Sequence, residues 1–190
     1  MPFQGLDDEG EFMRIRYSVA AAVAVVVAAA GVASAAPGDT AVTFSVSSGS
    51  LAISVPSSAS LGSGLPGNSV SGQLGSVTVT DARALLTAAW TASVTSTSFK
   101  TGGGTAAETV AASAVSYWSG AATATSGLGV FTPGQATAIL AQTLDTSRTS
   151  YGLAAGTGNN SATWNPTLVV AIPASAVNGA YAGTVTHSVA

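Results

Sequence analysis

The chain has 190 residues with Lys+Arg 5, Asp+Glu 8, one His and no Cys, and a mean hydropathy of +0.47. Its formal charge of -3 and scattered cations leave no basic stripe to neutralise phosphates, which excludes nucleic-acid binding. The absence of cysteine removes disulfides, thiolate nucleophiles and cysteine-ligated metals, and the length allows at most one domain plus extensions.

Residues 1–12 place Asp7, Asp8, Glu9 and Glu11 where an export signal should be cationic, so they read as an extension ahead of a true start at Met13. Arg14 and Arg16 then precede an Ala/Val run over residues 19–30 and small residues through Ala33, Ser34 and Ala35. This pattern predicts a helical secretory signal peptide over 13–35, cut after Ala35. A transmembrane anchor needs about 20 apolar residues, and this run is shorter. Residues 36–190 would then form one secreted domain with no membrane attachment. Its charges are Asp39, Asp81, Glu108 and Asp145 against Arg83, Lys100 and Arg148, so it is close to neutral. The chain's last residues carry no hydrophobic stretch followed by basic residues, so retention at a cell surface is expected to be non-covalent.

Val42, Phe44 and Val46 share one parity, as do Leu51, Ile53 and Val55 after a Ser-Gly break, which predicts a hairpin of two half-buried strands. Residues 56–75, rich in Ser, Gly and Pro, read as loop. A third strand is expected at 77–81 and a fourth from Trp90 through Val94 towards Phe99, with a turn over 100–105. Further β-type alternation falls at 109–118, 169–172 and 181–189. Residues 82–89 and 137–142 carry helix formers and allow short helices or turns. No longer amphipathic helical stripe exists, so the expected fold is an all-β, immunoglobulin-like β-sandwich. Its small faces leave Phe44, Trp90, Phe99, Tyr117, Trp118, Trp164 and Tyr181 as the core anchors.

Chemical motifs are sparse. Gly62-Ser-Gly-Leu-Pro-Gly67 spells a dinucleotide-binding motif, but Pro66 and the polar stretch after it give no helix to receive a pyrophosphate. Gly102, Gly103 and Gly104 lack the Lys-Ser/Thr ending of a phosphate loop. His187 is the one imidazole, in a strand pattern and without a nucleophile-elbow serine, and reads as structural. Asp81 lies two residues from Arg83 and reads as a charge pair or turn cap, not as one of a glycosidase carboxylate pair with Glu108 or Asp145. No two acidic residues of 36–190 lie within three positions of each other, which rules out the usual calcium loop there. No catalytic, cofactor-binding or metal-binding residue is expected.

Aromatic faces are the remaining binding candidates, because they stack on sugar rings and anchor interfaces. Trp90, Tyr117, Trp118 and Trp164 are the candidates, with core filling as the competing role for Trp90 and Trp164. Adjacent residues in a strand face opposite sides, so one of Tyr117 and Trp118 should point outward.

The succession of Val77-Thr-Val-Thr-Asp-Ala-Arg83, Trp90-Thr-Ala-Ser-Val94 leading to Phe99, Trp164-Asn-Pro-Thr-Leu-Val-Val-Ala-Ile-Pro173 and Gly179-Ala-Tyr-Ala-Gly-Thr-Val-Thr-His-Ser-Val189 resembles the WxL-domain surface proteins of Gram-positive bacteria, in the actinobacterial secreted form. The resemblance covers about residues 40–190. Its two name tripeptides are degenerate: Trp90 is followed by Ala92, and His187 and Val189 stand in the places of Trp and Leu. The resemblance implies a secreted, non-enzymatic β-sandwich that associates non-covalently with the cell wall, through peptidoglycan or another wall polymer and with other surface proteins as further partners. It carries Trp90 and His187 over as wall-binding positions. The alternative expectations are a structural or assembly protein whose uncharged strands pair with other chains, and a secreted hydrolase.

Overall fold

The computed structural model describes residues 40–190. The extension at 1–12, the signal peptide at 13–35 and its cleavage after Ala35 lie outside the described residues. Ser45–Ala190 groups into one unit that holds every described strand.

The strands are β1 (Leu51–Ser54), β2 (Ser69–Gln73), β3 (Val77–Asp81), β4 (Ala88–Ser96), β5 (Phe99–Lys100), β6 (Thr109–Val110), β7 (Val115–Trp118), β8 (Ala122–Pro133), β9 (Gln142–Thr143), β10 (Arg148–Trp164), β11 (Thr167–Ala171) and β12 (Val185–Val189). All pair antiparallel. One sheet runs β1-β3-β10-β4-β12 with β8 also on β10, a second runs β2-β11-β7-β9, and β5-β6 forms a small ribbon. The fold is all-β and sandwich-like, as the alternation predicts.

The long β10 organises the larger sheet. Tyr151 pairs with both Ala92 and Pro133, and Ala162 with both Val79 and Thr125. A strand has two edges, so β8 lies along one edge of β10 while β4 and β3 share the other in succession. Where the partner changes, β10 is irregular: Ala155 takes φ 51 and Gly158 φ 69. The loop between β3 and β4 is tied to this irregularity, with the Gly158 N–H donating to Leu85 O at 2.8 Å and the Thr157 hydroxyl to Leu86 O at 3.1 Å.

Period-two burial fills the space between the sheets. In β3, Val77 and Val79 are buried; in β4, Ala88, Trp90, Ala92 and Val94; in β7, Val115 and Tyr117; in β11, Leu168 and Val170. They divide into two clusters, one around Trp90, Tyr151 and Trp164, the other around Tyr117, Leu144 and Leu168. Trp164 of the larger sheet joins them by donating its indole N–H to the Tyr117 hydroxyl of the smaller sheet at 3.3 Å.

Several expectations need correction. Residues 41–46 form no strand, and Val42, Phe44 and Val46 are 82%, 88% and 77% exposed; Phe44 is therefore not a core anchor. The expected hairpin is absent because β1 takes β3 as its partner. Period two states which side chains would share a face, not whether a sheet edge is there to receive them. The expected loop 56–75 contains β2, an edge strand that backbone pairing to β11 holds although Val70 is its one large apolar residue. Strands β8 and β10 are rich in Ala, Thr, Ser and Gly, and large apolar residues alternate in them only over the short stretches Leu128/Val130 and Tyr151/Leu153. Residues 109–118 are two short strands separated by a 3-10 turn at Ala112–Ala114. Of the two helix-former stretches, one holds a 3-10 turn at Ala138–Leu140; the other is loop leading into β4.

Candidate functional site

Three of the four aromatic candidates are consumed by the core. Trp90 on β4 is 3% exposed. Its indole N–H donates to Asn160 Oδ1 at 2.8 Å, and Asn160 Nδ2 donates to Asp81 Oδ2 at 3.4 Å. The Arg83 guanidinium completes the chain with 2.9 Å bonds to both Asp81 oxygens and a 2.9 Å bond to Ala89 O. The charge pair expected from sequence is thus present, and Arg83 holds the Asp81 carboxyl below its ordinary range. This network satisfies buried polar groups that would otherwise be costly.

Trp164 is fully buried and stacks on Tyr151, with ring centroids 4.8 Å apart at 24°. Tyr117 is fully buried too, and its hydroxyl lies 3.2 Å from His187 Nε2. Burial pushes the His187 pKa down to about 4, so the ring is neutral at pH 7; its Nε2 and the Tyr117 hydroxyl share a hydrogen bond, and Trp164 donates to the same oxygen. The imidazole also packs on Tyr117, with ring centroids 5.7 Å apart. Glu108 is held by the amide and hydroxyl of Thr105, and Asp145 by Thr143 and Arg148. Among the described residues no group of three His, Asp or Glu side chains is placed to hold a metal ion.

Trp118 differs. It follows Tyr117 on β7, and the pleat that turns Tyr117 inward turns Trp118 to the outer face of the smaller sheet, where it is half-buried. Register places Thr167 opposite Trp118 and Gln73 opposite Thr167, so the three side chains form one row across the sheet. The next row is Thr143, Ser116, Val169 and Ser71, and at its β9 end the Thr143 hydroxyl donates to Asp145, which is paired with Arg148. Asn165 borders the first row, donating Nδ2 to Gln73 Oε1 at 2.9 Å while its Oδ1 accepts the Gly75 N–H at 3.1 Å. Strands β2, β7 and β11 carry no charged residue. The result is an indole set in a neutral field of amides and hydroxyls, able to stack on an apolar ring face and hydrogen-bond to the groups around its rim.

Gln73, Asn165 and Thr167 were not singled out from sequence. Their proximity to Trp118 depends on β2 being a strand and on the register of β11, and neither leaves a local signal. A groove of about 640 Å³ also opens between residues 59–66 and 176–181, lined by Leu61, Val70, Phe99, Ile172 and Tyr181. The Tyr181 hydroxyl there lies 3.0 Å from the carbonyl oxygens of Ala107 and Val177, so it is occupied by the protein's own backbone. Set against protein-family models, curated proteins and solved structures, the chain matches none of them.

Proposed function

We infer that the chain is a secreted, non-enzymatic cell-surface protein that associates non-covalently with a Gram-positive cell wall, through peptidoglycan or another wall polymer. The observation that carries this reading is the outward-facing Trp118 in its uncharged row with Thr167 and Gln73. A neutral polysaccharide offers apolar C–H faces and many hydroxyls, and this surface matches both without setting up a charge that must be desolvated. The leader at 13–35 and the resemblance to WxL-domain proteins support the same reading. Trp118 replaces Trp90 and His187 as the residue in contact with polymer, because those two are engaged within the fold.

The test is a pull-down of the secreted protein with insoluble cell wall, compared with chitin and cellulose. Binding should be selective for wall and resistant to salt. Trp118→Ala should weaken it by about tenfold or more, equivalent to about 1.4 kcal/mol, and Trp118→Phe should retain most of it. Undiminished wall binding by Trp118→Ala would overturn the reading, as would absence of binding by the unsubstituted protein. The export step is checked by N-terminal sequencing, with Ala36 expected first.

A further inference from the structure

We propose that copies of this chain join head to tail, the segment at residues 41–46 of one copy adding as a strand to the free edge of β8 in the next. Two unsatisfied features carry this inference, and it stands independently of the wall-binding face.

The first is the segment itself. Ala41-Val-Thr-Phe-Ser-Val46 alternates apolar and small polar residues from Val42 onward, has strand formers at Val42, Thr43, Phe44 and Val46, and contains no Gly, Pro or charge. Val42, Phe44 and Val46 are nonetheless exposed, and no described strand pairs with the segment. A row of three large apolar side chains on one parity has the pattern of a half-buried strand without the sheet that would bury it.

The second is β8. This strand of 12 residues pairs with β10 alone, so its other edge presents unpaired backbone groups, except at Pro133, which has no N–H, and with irregular backbone at Gly127 and Gly129. Edge strands are ordinarily protected by charges, by Pro or by bulges; β8 carries no charge, and its protection is confined to Pro133 at its end and the register shifts along its pairing with β10. Its Leu128 and Val130 share a parity and are 70% and 61% exposed. A strand laid on this edge with Val42, Phe44 and Val46 on the same face sets Phe44 beside Leu128 and Val130, an aromatic against branched aliphatic neighbours. Residues 128–133 match the six residues of the donor in length.

The topology decides whose edge is used. The chain enters β1 at Gly49, whose N–H donates to Ala82 O at 2.7 Å, and β1 and β8 are opposite edges of the same sheet with β3 and β10 between them. The donor is thus joined in sequence to β1, and the acceptor edge is the opposite edge of that sheet. Such a heterologous contact propagates, giving rings where the rotation closes and filaments where it does not. Neither surface is charged, so the association should be insensitive to salt.

Light scattering and electron microscopy of the full chain over a wide concentration range test the proposal. Concentration-dependent oligomers or filaments are expected, unchanged by added salt and in Trp118→Ala. Phe44→Lys removes the donor and Val130→Lys the acceptor; both positions are exposed, and each variant alone should be monomeric. Mixed one to one, they should stop at a dimer, since one intact donor meets one intact edge. A synthetic peptide of residues 40–48 should dissolve wild-type assemblies by capping β8, a readout that needs no variant to fold. A wild-type monomer at all concentrations would overturn the proposal. So would assembly that survives Phe44→Lys but is lost in Val130→Lys, which is the signature of symmetric β8-to-β8 pairing.

Discussion

His187 shows how one side chain links burial to acid sensitivity. Desolvation lowers its pKa from 6.5 to about 4, so the folded protein binds fewer protons than the unfolded chain between those values. The stability this contributes is fully present above about pH 6.5 and is lost as the pH falls through the window to about 4. The amplitude is up to about 3 kcal/mol. Denaturant midpoints measured from pH 7 to pH 4 should decline, and His187→Gln, which keeps a polar group near the Tyr117 hydroxyl but cannot protonate, should flatten that part of the decline. That one of Tyr117 and Trp118 faces outward was legible from their adjacency alone. Which of the two faced outward was not, because that choice depends on which face of β7 meets the other sheet.

At the scale of elements, the pairing of β8 with β10 is the largest piece of structure that sequence patterning missed. Large-residue alternation identifies strands that bury one face against bulky neighbours, as in β3, β4, β7 and β11. β8 is held mainly by its backbone ladder, and the large buried residues of β10, Tyr151, Leu153 and Trp164, are spread among small ones over 17 residues, so neither strand carries a sustained mark. Glycine has a specific role where this ladder changes register. Gly127 takes φ 86, and a Cβ there would lie 2.5 Å from Asn159 O and 2.8 Å from Asn160 Cα. Both are backbone atoms of β10, so relief requires the strands to separate. Gly127→Ala should cost about 1–3 kcal/mol. Gly120 has a similar φ of 70 with no atom within 4 Å of its virtual Cβ, so Gly120→Ala should show only the conformational penalty of about 1 kcal/mol. Chemical unfolding of the two variants separates crowding from backbone strain.

Across the whole molecule, Trp164 is the joint between the two buried clusters. It stacks on Tyr151 in one and donates to Tyr117 in the other. Truncation to alanine opens a cavity at the junction and removes the donor, and should cost about 3–5 kcal/mol, a large share of the 5–15 kcal/mol or so that stabilises a typical domain. Thermal unfolding of Trp164→Ala should remain one transition at a lower midpoint. Two separated transitions would show that the clusters unfold independently.

By itself the sequence determined the all-β class, the inward parities of the strands with large apolar residues and the Asp81–Arg83 pair. These follow from composition and from spacing within a few residues, which the local geometry of a strand converts directly into faces. Only the tertiary structure decided that Trp90, Tyr117 and Trp164 are enclosed, that Gln73 and Thr167 stand in line with Trp118, and that residues 41–46 lack a sheet of their own. Those outcomes depend on which strand lies beside which and in what register. That choice is made by contacts between residues distant in the chain, and it leaves little trace in any short stretch of it.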